Sequence, residues 1–338
     1  MQDSSLPPHV QLIQMATAHW VSQVIHVAAK LNLADLLANG PKDAPTLAAT
    51  TQSHPSALYR ILRALGNLGI VTEDAEGCFH LTPLGEAMKA DAPGAAKASI
   101  LTLASDWMSR GIIELPYSVE TGKSGLEKAL GMPIFEWMGQ HPGAAALFSE
   151  TMVGFHGQEP AAVAAAYDFT GFKTIVDVGG ATGNLLCAVL GQSSTSHGIL
   201  FDMAHVVKDA PALIASHGLT DRVQIEGGSF FDQVPAGGDA YLLSHVIHDW
   251  SEEQCLVILN NCRKAMKPGA RLLIIEMVLP SDNTPHPGKM LDIMMLVGPG
   301  GQERTAEEYG VLLSKVGFKL NKVVPTASAV SLVEAVVE

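Results

Sequence analysis

Cysteine is scarce and scattered: Cys78, Cys187, Cys255 and Cys262 form no CxxC pair, which argues against a disulfide framework or a thiolate zinc site and points to a reducing cytoplasm. Cations are short as well. The 21 Lys and Arg face 34 Asp and Glu, a formal net charge of -13, and a surface that negative repels nucleic acid and anionic lipid. Apolar stretches such as Ile175–Val178 and Leu272–Leu279 stop at Gly, Pro or charge, well short of the ~20 residues that span a bilayer. The opening MQDSSLPPHV lacks the basic-then-apolar order of a signal peptide. Export, membrane insertion and DNA binding are therefore poor expectations.

What is present suffices for two cores: 338 residues, 47% of them hydrophobic. From Val10 to Leu37, Ile13, Trp20, Val24, Val27, Leu31 and Leu36 recur at helical spacing with few charges, which predicts a helical stretch apolar on more than one face and in need of a partner. Pro45-Thr46 opens a short helix and Ser53-His54-Pro55-Ser56 precedes another, Ala57–Leu68, stopped by Gly69. Ile70–Thr72 and Cys78–Leu81 follow as strands joined across Asp74-Ala75-Glu76-Gly77. Helix, turn, helix, hairpin is a winged-helix pattern. We expect three segments: 1–95 of this type, a helical 96–168, and 169–338.

The last segment alternates apolar runs with helical ones, with strands near Thr174–Val178, Gly198–Phe201, Val223–Glu226, Ala240–Ser244 and Arg271–Met277. That pattern predicts an α/β domain, a Rossmann-like doubly wound parallel sheet. The helix Ala306–Val316, then Phe318–Val324 and Ala329–Val337, supply a closing antiparallel pair.

The first strand runs into Asp177-Val178-Gly179-Gly180-Ala181-Thr182-Gly183. Glycines there let a ligand approach the backbone closely. The dinucleotide fingerprint Gly-x-Gly-x-x-Gly is missing, since Val178 stands at its first glycine, so a nicotinamide cofactor is disfavoured. The second strand ends in Phe201-Asp202, where such folds place a carboxylate that accepts ribose hydroxyls; the bland alternative makes Asp202 a helix N-cap. The third strand ends in Gly227-Gly228-Ser229-Phe230-Phe231-Asp232, where an adenine could lie between an apolar ring and a small polar side chain, or the phenylalanines could simply belong to the core.

The fourth strand leads into His245-Val246-Ile247-His248-Asp249-Trp250 at the carboxyl end of the sheet. A neutral imidazole there suits general-base work on a phenol-like hydroxyl. A carboxylate on its far nitrogen would fix the tautomer, and Glu276 and Glu303 are the candidates; Glu303-Arg304 could instead be a local ion pair. His245, His248 and Asp249 could hold a divalent ion, but no further ligand stands at a diagnostic spacing, so no metal is expected.

The chain resembles the homodimeric small-molecule O-methyltransferases, a family spanning plant caffeate-type, animal melatonin-forming and bacterial polyketide and phenazine tailoring enzymes. The resemblance rests on Leu58–Leu65 and Leu81–Gly85, then Val176–Gly183, Phe201-Asp202, His248–Ser251 and Pro299–Thr305. It implies a class I methyltransferase fold using S-adenosylmethionine, with an N-terminal domain that dimerises by exchanging helices. It implies His248 as general base flanked by Glu276 and Glu303, cofactor contacts from Gly179, Asp202, Ser229, Phe230 and Ser244, and an acceptor pocket lined by Phe148, Met152, Phe155, Met294 and Met295. Ser229 stands where relatives carry Asp, and Ser244 where they often carry Lys or Arg; His156 and His245 are neighbours that could substitute. The expected reaction is methyl transfer to a small aromatic or polyketide-like hydroxyl. Two alternatives are a non-methylating reaction on the same fold, of hydroxylase or pericyclase type, and a winged-helix DNA-binding regulator. The latter suffers from a recognition helix with only Arg60 and Arg63 as cations.

Overall fold

A computed structural model describes residues 6–94 and 96–338. The first five residues of the polar start, and Ala95, at which the first segment was expected to end, lie outside the described residues. The chain divides into two compact units: one takes in the residues up to Arg110 together with Phe135–Gly157, the other Gly111–Ile134 and Gln158–Glu338.

In the first unit the stretch expected as one helical run is three helices, Pro8–Ala16, Ala18–Lys30 and Leu33–Ala38. The last break falls at Asn32, whose φ of 55° is left-handed, a conformation Asn tolerates better than most residues. The helix expected from Ala57 begins two residues earlier, Pro55–Asn67, with Pro at its first turn. It buries Leu58, Leu62 and Leu65, one per turn, and leaves Arg60 and Arg63 outside. The hairpin Val71–Glu73 and Cys78–Leu81 gains a third strand, Lys42–Asp43; two residues are too short to show a pattern in sequence. The segment expected as 96–168 is not a unit of its own. Helix Ala96–Leu103 packs on Pro142–His156, where Thr102 and Thr151 share a 2.8 Å hydrogen bond. By contrast, Ser124 donates 3.0 Å to the Val297 carbonyl and ties Gly125–Leu130 into the second unit.

The second unit is built on seven strands: β1 Thr174–Val178, β2 His197–Asp202, β3 Val223–Gly227, β4 Ala240–Ser244, β5 Arg271–Glu276, β6 Phe318–Pro325 and β7 Ser331–Val337. Their spatial order is β3-β2-β1-β4-β5-β7-β6, parallel except for β7, which is antiparallel to both β5 and β6. The central strands are apolar at nearly every position because both faces are covered. Ile175, Leu242 and Leu273 point into one core; Val176, Leu243 and Ile274 point into the other. The order in which strands are added reverses between β1 and β4, the switch point where ligands of open α/β sheets bind beyond the carboxyl ends of the strands.

Candidate active site

The turn after β1 is held against β2: the N–H groups of Gly179 and Gly180 donate to the Phe201 carbonyl at 2.8 and 3.3 Å. Gly179 and Gly183 have φ of +74° and +90°, and Ala181 also lies at positive φ, +49°. Its N–H donates 2.9 Å to Asp202 Oδ2, while Met203 N–H donates 2.6 Å to Oδ1. Asp202 thus joins the two strand ends. It caps no helix, since the next helical turn starts at Val207 behind Val206. Burial raises its pKa against the pull of these two N–H groups. Each carboxylate oxygen keeps acceptor capacity beyond its one backbone donor, so the residue suits a vicinal diol, and the arrangement fits a ribose-bearing cofactor. The Phe230 ring lies beside Gly179: a Cβ on that glycine would stand 3.6 Å from Phe230 Cε1 and 2.8 Å from a Val246 methyl. Ser229 Oγ accepts from Phe231 N–H, and Asn261 fixes the same loop through the Phe230 and Phe231 carbonyls. Asp177, fully buried below the turn, is pushed up to about 7 by burial and then by Asp202.

Ser244 closes β4 opposite Ile275. His245 follows at φ +53°, with Nε2 2.7 Å from Glu159 Oε2. Its ring turns to that carboxylate rather than joining His248 and Asp249 in a ligand set.

His248 sits in the short turn Ile247–Asp249 and is 6% exposed. Its Nδ1 is 2.7 Å from Glu303 Oε1, while its backbone N–H donates 3.1 Å to Glu276 Oε1. The two glutamates therefore do different work. Glu303 holds the ring; Glu276 holds the main chain beneath it. Three local features bring Glu303 there. Val278–Leu279 and Arg304–Thr305 pair as short parallel strands just past both glutamates. Asp292 accepts the Glu303 N–H at 2.9 Å. Gly301 lies so close to the His248 carbonyl, which accepts from Gln302 N–H, that a Cβ would come within 1.9 Å of it. Arg304 does not pair with Glu303: it donates to the carbonyls of Ile247 and Gln302. Burial alone lowers an imidazole pKa, but the Glu303 hydrogen bond and the charges of Glu276 and Asp249 prevail and push His248 up to about 10.

The structure thus brings Gly179, Asp202 and Phe230 together, and likewise His248, Glu276 and Glu303. Phe148, Met152 and Phe155 lie along one helix of the first unit, Phe155 being 55% exposed. Met294 and Met295 are half-buried on Gly288–Val297 in the second. Sequence reasoning missed Asp292, Gly301 and Glu159. Only Gly301 carried a local signal, as half of a Gly-Gly pair ahead of Glu303.

Residues 113–319 match the family described as the O-methyltransferase domain and residues 13–91 its dimerisation domain. The chain is 42% identical to the phenazine O-methyltransferase PhzM of Lysobacter antibioticus, over 96% of this chain and 95% of that one. Its fold is similar to that of the mitomycin 7-O-methyltransferase MmcR, with a TM-score of 0.92, 33% identity and 98% of each chain covered. It is also similar to NcsB1, an O-methyltransferase from neocarzinostatin biosynthesis solved with S-adenosylmethionine and 2-hydroxy-5-methyl naphthoic acid, with a TM-score of 0.84, 32% identity and 94% and 96% of the two chains covered. Glycine turn, strand-end carboxylate and His–Glu pair stand on one class I methyltransferase sheet, and the chain belongs to the S-adenosylmethionine-dependent O-methyltransferase family that carries an N-terminal dimerisation domain.

Proposed function

We propose that this enzyme methylates a hydroxyl of a small aromatic or polyketide-like acceptor, with His248 as general base. The observation that carries the proposal is the 2.7 Å contact between His248 Nδ1 and Glu303. With Nδ1–H committed to a buried carboxylate, the neutral tautomer leaves the Nε2 lone pair for the proton of the acceptor. Bound S-adenosylmethionine supplies an electrophilic methyl group on a positively charged sulfur. His248 must first shed its own proton, and positive charge entering the site opposes the carboxylates that hold it. Asp202 would accept the ribose hydroxyls, Gly179 would let the ligand approach the backbone, Ser229 and Phe230 would flank the adenine, and Ser244 would border the site. Met294 and Met295 would contact the acceptor.

The subunit is proposed to work as a homodimer in the cytoplasm. Leu12, Ile13 and Trp20 are 65%, 59% and 63% exposed on the first two helices, where the match to the dimerisation domain begins at residue 13, an apolar surface that a second copy would cover. The four cysteines are unpaired, as a reducing compartment would keep them. No helix of the described residues is long and apolar enough to cross a membrane. The test of the chemistry is turnover of His248→Ala and His248→Gln with phenolic phenazines. Product mass, S-adenosylhomocysteine formation and NMR of the new methyl group are measured. Near-wild-type O-methylation by either variant would exclude general-base catalysis and leave proximity alone. A product gaining oxygen rather than methyl would point to the non-methylating reaction.

A further inference from the structure

Behind the two glutamates lies a third buried group that the reaction does not touch. Tyr309, on the helix Ala306–Ser314, is completely buried, and its hydroxyl donates to Glu276 Oε2. The helix is fixed at its start by a reciprocal capping box, Thr305 with Glu308. That cap continues directly from the strand Arg304–Thr305 that follows Glu303. Glu276 is therefore an acceptor at both oxygens, Oε1 for the His248 main chain and Oε2 for the phenol.

We propose that Tyr309 is a positioning residue for His248: its buried hydroxyl fixes Glu276 as a two-sided acceptor, and through Glu276 it sets the place of the His248 main chain and the charge facing the imidazole. The inference rests on His248 being the base, but its first readout does not. A carboxylate buried completely, as Glu276 is, needs donors for its oxygens. Remove the phenol and Oε2 has lost its donor; the carboxylate is then free to turn from its place, and the charge facing His248 moves off the imidazole with it. The other groups around the imidazole are Glu303 from the loop before Arg304, Asp249 on its own turn, and His245, whose ring centroid is 5.3 Å away. Arg304 and Cys255 complete the charged and titratable surroundings of Glu276 and Tyr309. None of these replaces a donor at Glu276 Oε2 among the described residues.

The experiment is a double-mutant cycle of Tyr309→Phe and Glu276→Gln, in which Phe keeps the ring. The His248 pKa is read by NMR in the cofactor-free protein, and kcat and KM are measured separately. Tyr309→Phe is expected to lower the His248 pKa by about one unit and kcat by about tenfold with KM little changed. In the Glu276→Gln background it should do neither. Equal effects in both backgrounds, or no change in the His248 pKa, would overturn the proposal. Should Tyr309→Phe not fold, the wild-type Tyr309 hydroxyl proton, observed with labelled tyrosine, should shift upfield in Glu276→Gln; an unmoved resonance overturns it equally. If the NMR coupling holds while His248→Ala still turns over, the base assignment fails and the positioning contact stands.

Discussion

Replacing Glu303 with Gln keeps the shape of the side chain and removes its charge. At 2.7 Å and an effective dielectric of about 20, two unit charges attract by roughly 6 kcal/mol. Burying both reclaims most of that. A hydrogen bond to a charged partner retains about 2 kcal/mol net, equivalent to between one and two pKa units. The imidazole is raised chiefly by carboxylates working against its burial. Its pKa in Glu303→Gln should therefore fall, and the acid limb of the kcat/KM profile should move to lower pH. Turnover should nevertheless drop about 100-fold or more, because a Gln amide can donate as readily as accept and no longer commits Nδ1 to carrying the proton. The assay is S-adenosylhomocysteine release against pH, paired with the imidazole Cε1–H resonance. An acid limb that moves up, or turnover within twofold of wild type, would refute the reasoning.

Stability should respond to the same group with a defined sign. A His raised above its unfolded pKa of about 6.5 stabilises fully below that value, and the contribution is lost as pH rises toward the folded value of about 10. Urea midpoints of the cofactor-free protein should fall over that window, and less steeply for His248→Gln. Asp177, pushed up to about 7 by burial, acts in the same direction at lower pH: it weakens folding as pH rises from about 4 to 7, so Asp177→Asn should gain midpoint relative to wild type at pH 8 compared with pH 4. Asp202→Asn should weaken S-adenosylhomocysteine binding by about 10- to 100-fold in calorimetry while leaving Tm within a few degrees, since one acceptor of two hydroxyls becomes in part a donor. Gly301→Ala must displace the His248 carbonyl, so kcat should fall at least tenfold even where the protein stays folded.

Much of the second unit was legible because burial on both faces writes itself as contiguous apolar residues. The boundaries of β1 and β4 were read without error, and those of β2, β3 and β5 to within a residue. The first unit was harder. A run of apolar residues at helical spacing says nothing about where one helix stops, and the break at Asn32 depends on a single left-handed residue. The segment between the domains was helical as expected, but its division between two units depends on side chains such as Thr102, Thr151 and Ser124 meeting partners far along the chain. Sequence spacing carries no such information.

The proposed catalytic group shows the same limit. Strand-end position nominates His248 and Glu276, the glycine-led loop before Arg304 nominates Glu303, and by residue type the two glutamates are interchangeable. The fold makes them unlike. Glu303 arrives from 55 residues away and meets the ring; Glu276, on the adjacent strand, meets only the main chain and the Tyr309 phenol. One therefore governs the tautomer and proton affinity of the imidazole directly. The other governs where the imidazole stands, and acts on its proton only through the field of its charge. Tyr309 itself was unreadable, because an aromatic at core spacing on a helix reads as packing until its hydroxyl is seen to face a buried carboxylate.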